Sequence, residues 1–357
     1  MLFVSKYENG GSSSGGMVRV KDMEKLLTGC KCEFLTIDLS SPFSYHENLN
    51  ENGNNVIKAG WLRFLKIYAL LKAHHTIYFH SVGNFIKFFP FLVLSIGKTK
   101  MLDLHGAQPE EFYYRGQKIR SKIFGFFERI AFSVCDAFIH VSQNMIDHFQ
   151  AKYPLEKRHD FYVPIFSSII NFEEPPNVYR CQSEARRVLG IDDKVPVFLY
   201  SGGIQEWQKP AEVCEFIRDV IRLGFSAIIL SMQKDFFESM LIEHLGNERL
   251  IIRSVKPSDL DVYYKAANFG IMFRDEDILN RVASPTKMTE YLYYGMIPIL
   301  KSRNVGDFVN LGIESLLAEE SLVEPAPRKS SHNQKILCDI LSNSGKYELK
   351  KFVMSLD

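Results

Sequence analysis

The sequence predicts an α/β protein built from two doubly wound, Rossmann-like domains facing a cleft. Two observations carry that prediction. At 357 residues the chain exceeds what one hydrophobic core usually organises. Short apolar strands alternate with helical stretches almost throughout, pause at the proline-bearing segment "NFEEPPNVY", and then begin again. The expected boundaries are 1–168 for the first domain, 169–179 for a linker and 180–344 for the second domain, with 345–357 a terminal helix placed to pack back on the first.

In the first half, "LFVS" reads as a strand, followed by a Gly/Ser loop and then "MVRVKDMEKLL" with helical spacing. "CEFLTID" is the next strand, and "VIKAGWLRFLKIYALLKA" reads as one amphipathic helix before the strand "TIYFH". "FIKFFPFLVLSIG", residues 85–97, reads as a buried helix, since it is too short to span a bilayer and holds Lys87 and Pro90. "KMLDLHG", "DAFIHVS" and "FYVPIF" complete this half. In the second half "VPVFLYSGG", "SAIILSM", "RLIIRSV" and "NFGIMFR" are strands. The stretches "PAEVCEFIRDVIRLG", "KDFFESMLIEHLG" and "PSDLDVYYKAA" are helices between them. "SPTKMTEYLYYG" is a last helix leading into the strand "MIPIL", with Ser284 as N-cap, Pro285 at the first helical position and Gly295 as the stop.

A net charge of +1 argues against a dedicated nucleic-acid binder. The charge is uneven: residues 1–165 carry roughly +5 and the remainder roughly −4, which suits an anionic surface or acceptor on the first half, or is plain scatter. Six cysteines without zinc-type spacing fit free thiols in a reducing compartment. No basic region followed by a long apolar core marks a signal peptide at the N-terminus.

Candidate functional residues fall where doubly wound domains place function, just past the carboxyl ends of strands. "NGGSSSGG" either turns the chain or approaches a phosphate, with Gly15 and Gly16 at the start of a helix. Its glycine spacing is wrong for a nicotinamide dinucleotide site. His105 and Gly106 follow an apolar strand, so His105 either bonds a substrate hydroxyl or plays a structural part. Glu110 and Glu111 read as a solvated first turn after Pro109. Gly202, Gly203 and Lys209 repeat the glycine-loop theme, with Lys209 either a phosphate ligand or a surface cation. Asp275 and Asp277 read as a solvated acidic turn and not a metal pair, and Arg274 faces either an anion or those acids.

The segment "SPTKMTE" is the most informative. Lys287 in a first turn opposes the helix dipole, and a bound anion would reverse that sign. The free amides of Thr286 and Lys287, beside Ser284, suit a diphosphate, and Glu290 one turn inside can accept from two vicinal ribose hydroxyls. The alternative is a Lys–Glu surface pair.

Taken in order, "GGMVRV", "DLHGAQPEE", "DAFIHVS", "YSGG" with its tryptophan, and "SPTKMTEYLYYGMIP" resemble the retaining glycosyltransferases of the GT-B fold. Within them the chain is similar to family four, in the branch that builds bacterial capsules and exopolysaccharides. The resemblance implies transfer of a hexose-type sugar from a nucleotide-sugar donor to a glycan or lipid-linked acceptor, with no metal and no cofactor. It implies a cytoplasmic enzyme, peripheral on the inner face of the cell membrane where acceptors are lipid-linked. The helix around Trp61, Arg63, Phe64, Lys66 and Lys72 then either touches that membrane or covers its own sheet.

By position the resemblance gives Glu290 the ribose, Gly15 and Gly16 a place near the phosphates and acceptor, and His105 a place near the transferred sugar. Joined to the reading of the residues themselves, the expected catalytic set is His105, Lys287 and Glu290, and the expected donor-binding set is Gly15, Gly16, Gly202, Gly203, Lys209, Arg274, Asn280, Ser284 and Thr286, with Lys287 and Glu290 again. Two departures stand out. Val282 occupies the place of the family's first glutamate, leaving Arg274, Asn280 or backbone to hold the sugar. Gly203 and Gln208 stand where an arginine and a lysine usually clamp the diphosphate, leaving Lys209 and Lys287 as substitutes. A GT-B-like module that binds without turnover, or a nucleotide-sugar epimerase, are the other functions this pattern allows.

Overall fold

A computed structural model describes residues 1–8, 15–154, 158–167 and 169–356. The chain divides into two compact units, Met1–Pro164 with Ser344–Asp357, and Ile165–Asn343. Residues 169–179, expected as a linker, and 165–168, expected in the first domain, fall within the second unit.

The first unit is an eight-stranded sheet: β1 (Leu2–Val4), β2 (Glu33–Asp38), β3 (Tyr45–Leu49), β4 (Asn55–Gly60), β5 (Thr76–His80), β6 (Thr99–Leu104), β7 (Ala137–His140) and β8 (His159–Tyr162). Their spatial order is β3-β4-β2-β1-β5-β6-β7-β8, and every pairing is parallel except β3 with β4. The helices are α1 (Gly15–Leu26), α2 (Phe64–Ala73), α3 (Val82–Phe88), α4 (Gln108–Tyr114), α5 (Lys118–Val134) and α6 (Gln143–Lys152).

Three expectations are corrected in this unit. "VIKAG" is strand β4, because Val56, Ile57 and Ala59 are buried and pair in register with β2. The helix begins only at Phe64: Gly60 lies so close to the Pro42 carbonyl that a Cβ there would sit 2.2 Å from its oxygen. The run 85–97 is not one buried helix. It is α3 followed by a 3-10 turn over Phe89–Ser95, since Pro90 lacks the amide an α-helix needs, and Val93 and Ile96 are exposed. Glu110 is not solvated either. It pairs with Lys152 at 2.6 Å and lies 3.5 Å from His148, and these partners outweigh burial to hold its carboxyl at about 2. Of the Gly/Ser loop, residues 9–14 lie outside the described residues.

The second unit is a six-stranded parallel sheet: β9 (Val197–Ser201), β10 (Ser226–Leu230), β11 (Leu250–Arg253), β12 (Phe269–Met272), β13 (Ile297–Leu300) and β14 (Leu316–Leu317), ordered β11-β10-β9-β12-β13-β14. Its helices are α7 (Arg180–Leu189), α8 (Pro210–Arg222), α9 (Lys234–Met240), α10 (Leu260–Ala266), α11 (Ile278–Val282), α12 (Thr286–Tyr293), α13 (Ala318–Ser321) and α14 (Ser331–Ser342). Val213, Ile217 and Val220 of α8 recur at helical spacing and pack on Phe198 and Ile229 of the sheet. Lys329 is fully buried, donating to the carbonyls of Tyr264 at 3.0 Å and Tyr294 at 2.8 Å. Burial, and then Arg186, push its ammonium well below the usual lysine range.

The chain finishes in α15 (Lys346–Met354), whose Leu349 and Val353 fill the core that β1 and β2 share with Met17, Val20 and Met23 of α1. Among the described residues no helix is long and apolar enough to cross a membrane. None of the six cysteines is in a disulfide.

Candidate functional site

In the second unit the strand order reverses between β9 and β12, and an open α/β sheet offers its ligand crevice at such a switch point. "SPTKMTE" lies beside it. Helix α12 begins at Thr286, so the N-cap is Pro285, which makes no side-chain bond; the expected cap at Ser284 is corrected by one position. Pro285 holds extended backbone, and its own carbonyl accepts from the Met288 amide at 3.0 Å. The stop at Gly295 has the expected form: its φ is 64°, and its amide and that of Met296 bond back to Leu292 and Tyr291.

Helix α12 packs directly on β12 because Gly270 has no side chain. A Cβ there would sit 2.3 Å from the Tyr291 ring. The Tyr291 hydroxyl accepts from the Ser201 amide at 3.1 Å and donates to the Ile271 carbonyl at 3.3 Å, bracing the ends of β9 and β12.

Lys287 and Glu290 form a pair of 2.7 Å, but it is not a simple surface pair. Glu290 is only 4 % exposed, and the same carboxylate oxygen accepts from the Tyr264 hydroxyl at 2.5 Å. Lys287 also lies 3.2 Å from that hydroxyl, and the Ser201 hydroxyl lies 2.7 Å from it. Burial, and then the Glu290 charge, raise the Tyr264 phenol well above its usual range, so it stays a donor. The result is a half-open cation over a buried carboxylate at a helix mouth.

The sequence singled out neither Tyr264 nor Ser201. The polar end of the apolar strand "VFLYS" was the available signal for Ser201, whereas Tyr264 looked like one more aromatic of an amphipathic helix.

Arg274 donates to the Asn280 side chain at 3.0 Å, so these two predicted residues meet. Asn280 is further held by the Asp275 carbonyl and by Asp277, which caps α11. The Arg274 Nε is buried without a partner, and burial lowers its guanidinium from the usual arginine range. Asp275 pairs with Lys209 and, at 2.8 Å, with Lys301. The two acids are thus engaged in ion pairing and capping, which corrects their reading as a solvated turn. Lys209 itself stands in left-handed backbone, φ 53°, directly before Pro210. Val282 is fully buried at the end of α11, an apolar core residue at the position where the sequence resemblance leads one to expect a glutamate.

The glycine loop after β9 is closed by Gln208, whose side-chain oxygen accepts from the Gly203 amide at 2.7 Å. A Cβ on Gly202 would sit 2.7 Å from the Tyr200 hydroxyl and 2.9 Å from that same oxygen, so a side chain there would push Tyr200 or Gln208 aside. One amide that a phosphate could use is therefore taken.

In the first unit the switch point lies between β1 and β5. Gly15 and Gly16 open α1 beside it; a Cβ on Gly16 would lie 3.8 Å from His80 Nε2. His105 lies 3.1 Å from Asp103, its ring centroid 4.2 Å from that of His80. His105 and Gly106 wall a small pocket of about 100 Å³ together with Gln108 and Glu111.

Asp103 is fully buried and gripped by both ends of the Arg19 guanidinium, at 2.9 and 3.0 Å, and by the Tyr78 hydroxyl. Burial alone would raise its pKa, but Arg19 and His105 outweigh it and hold the carboxyl well below the usual range. Burial, and then His105, push His80 down to about 4, so His80 is neutral near pH 7. Arg19, Tyr78, His80 and Asp103 were not singled out from sequence, although "TIYFH" and "MLDLH" both end in polar residues at strand termini.

The ligand atoms of His80, Asp103 and His105 lie within 4.8 Å of one another, close enough for a cation. The donor set does not suit one: both Asp103 oxygens already bond Arg19, and the buried guanidinium repels a second positive charge. A larger cavity of about 680 Å³ in the same unit lies beyond the ends of β1 and β2, lined among others by Lys6, Asp38, Lys58 and Lys87.

No family model and no curated protein sequence matches this chain. Solved structures do. Sucrose-phosphate synthase from Thermosynechococcus elongatus matches with a TM-score of 0.65 at 13 % identity, over 99 % of this chain and 96 % of its own. HepE from Anabaena, in complex with UDP and glucose, matches with a TM-score of 0.62 at 14 % identity, over 99 % and 98 %. The catalytic domain of starch synthase IV from Arabidopsis thaliana, bound to ADP and acarbose, matches with a TM-score of 0.55 at 10 % identity, over 99 % and 97 %. These likenesses, spanning two parallel-sheet α/β domains on each side, show that the chain has the GT-B fold.

Proposed function

We propose that this protein moves a sugar from a nucleotide-sugar donor to a glycan or lipid-linked acceptor, with retained anomeric configuration, in the synthesis of a bacterial surface polysaccharide. The observation that carries the reading is the buried Glu290 carboxylate, held by Tyr264 and roofed by Lys287, at the mouth of α12 beside the β9/β12 switch point. Lys287 and the first amides of α12 would take the diphosphate, and Glu290 the ribose. Arg274, whose buried Nε lacks a partner, would reach the donor's sugar or phosphate with Asn280 behind it.

The solved relatives support the reading, since HepE binds UDP with glucose and starch synthase IV binds ADP. The first unit would receive the acceptor in its larger cavity. In the transfer the bond from the anomeric carbon to the diphosphate oxygen breaks. The bond to the acceptor oxygen forms on the same face, and the acceptor proton passes to the departing diphosphate. That charge would be stabilised by Lys287 and the helix mouth, so the reading requires neither metal nor cofactor. Such donors place the reaction in the cytoplasm, and a lipid-linked acceptor would bring the protein to the membrane face.

A second reading, a GT-B module that binds without turnover, is favoured by three observations. Val282 is buried core, Gln208 occupies the Gly203 amide, and Lys209 is paired with Asp275. Thermal shift against UDP, ADP, GDP and CMP with their sugar conjugates identifies the donor. A ligand at a hundredfold its Kd adds about 2.7 kcal/mol of apparent stability. Release of nucleotide from that donor, lost in Lys287→Ala and Glu290→Ala while both stay folded, supports transfer; binding without release supports the second reading.

A further inference from the structure

Arg274 is a half-buried cation without a counter-ion, placed just past the end of β12. Among the described residues its one hydrogen bond runs from Nη1 to the Asn280 side chain at 3.0 Å. Its Nε is buried without a partner, and no carboxylate of those residues lies within ion-pair distance of the guanidinium.

The neighbouring acids are engaged elsewhere. Asp275 pairs with Lys209 and Lys301. Asp277, whose charge acts on Arg274, accepts from the Asn280 backbone amide at 2.8 Å through one oxygen and from the Asn280 side chain at 3.1 Å through the other. A charge withdrawn from water is ordinarily paired, so this guanidinium is built to meet an anion from outside the chain.

The open edge of the guanidinium has a definite form. With Nη1 anchored on Asn280, Nε and Nη2 remain, two parallel donors on one side of a plane. Arg19 shows what that edge takes: its Nε and Nη2 donate to the two oxygens of Asp103, at 3.0 and 2.9 Å. Acceptors around Arg274 are already occupied. The Gln208 oxygen accepts from the Gly203 amide at 2.7 Å, and the Gly203 carbonyl accepts from the Tyr200 hydroxyl at 2.6 Å. Val282, on the same short helix as Asn280, is apolar core. A neutral sugar brings hydroxyl protons that need acceptors, whereas a carboxylate needs only donors.

In the nucleotide-sugar reading proposed above, on which this inference rests, Lys287 and the α12 amides serve the diphosphate. The Arg274 edge is then left for a charge on the sugar itself. We infer that the donor sugar is acidic, a nucleotide-linked hexuronic acid whose carboxylate is gripped by Nε and Nη2 of Arg274.

Calorimetric titration of matched pairs tests it: UDP-glucuronate with UDP-glucose, UDP-galacturonate with UDP-galactose, and GDP-mannuronate with GDP-mannose, beside UDP, GDP, ADP and CMP alone. Within one pair the acid should bind about 10- to 150-fold more tightly than its neutral counterpart, the gain from a hydrogen-bonded charge. Arg274→Gln should abolish that preference and leave affinity for the free nucleotide nearly unchanged. Arg274→Lys keeps the charge without the fork and should retain only part of the preference. Nucleotide binding with no acid preference in any pair overturns this inference alone. So does a preference that survives Arg274→Gln. Equal losses of free nucleotide and acidic conjugate in a folded Arg274→Gln protein also overturn it, because the guanidinium would then hold the diphosphate. If circular dichroism shows that Arg274→Gln does not fold, Arg274→Lys decides, and an undiminished preference there overturns the inference. Binding of no nucleotide and no conjugate removes the nucleotide-sugar reading and this inference together.

Discussion

Replacing Glu290 by glutamine distinguishes a carboxylate that reads ribose from one that only braces α12. The side-chain volume is kept, and the amide oxygen can still accept from Tyr264 and Lys287, which now share one carboxylate oxygen at 2.5 and 2.7 Å. What is lost is the second oxygen as an acceptor and the negative charge. A hydrogen bond to a charged group contributes about 1.5–3 kcal/mol, so nucleotide affinity should fall roughly 10- to 150-fold. The fold should lose less, about 1 kcal/mol at most, because Lys287 is 32 % exposed and water can take over its solvation. Calorimetric titration would compare the ribonucleoside diphosphate that binds best with its 2′,3′-dideoxy counterpart, on both proteins. The substitution should weaken the ribonucleotide by that factor and leave the dideoxy nucleotide nearly untouched, because the missing hydroxyls have nothing to lose. Equal losses on both ligands, or none on either, would refute ribose recognition by Glu290.

Lys287→Ala should lower affinity for a nucleoside diphosphate more than for the free nucleoside, measured by the same titration, since it removes the cation at the helix mouth. Asp103→Asn leaves Arg19 buried and uncompensated and should cost about 3–5 kcal/mol in urea unfolding. Because the folded pKa of Asp103 is depressed, its contribution is present above the unfolded value near 3.9 and is lost as pH falls through the lower folded value; the variant should lack that acid-side loss. Lys329 has the same sign for a different reason: burial disfavours its charge in the fold, so stability rises with pH between the folded value and about 10.4, by up to about 1.4 kcal/mol per unit. Lys329→Met should flatten the climb in chemical-denaturation midpoints as pH rises toward about 10.4, whereas an unchanged slope would show that the ammonium is not the source.

The two sheets could be foreseen because each strand is a local event, an apolar run closed by glycine or a polar residue. β4 was missed because Val56 to Gly60 and the helix after Arg63 share one apolar composition, and only pairing with β2 separates them. β3 was missed because it is a polar edge strand with nothing buried to signal it. Lys287 and Glu290 were found because they lie three residues apart on one helix. The partners that give them meaning, Tyr264 and Ser201, come from elsewhere in the chain. Arg19 with Asp103 is separated by eighty-four positions, and no local pattern announces such a pair. The misplaced cap at Ser284 has a simpler cause, since the residue before a proline is pushed toward extended backbone, and here Pro285 is extended as well.

The return of α15 to the first sheet has a consequence for biosynthesis. Residues 165–343 leave the ribosome as an uninterrupted block and can close their own interior while the earlier sheet still lacks the Leu349 and Val353 plug. Maturation then runs against the usual amino-to-carboxyl order, with the first-made half completed last. A released chain truncated before Lys346 should show protease resistance in its later half and cleavage in its earlier one.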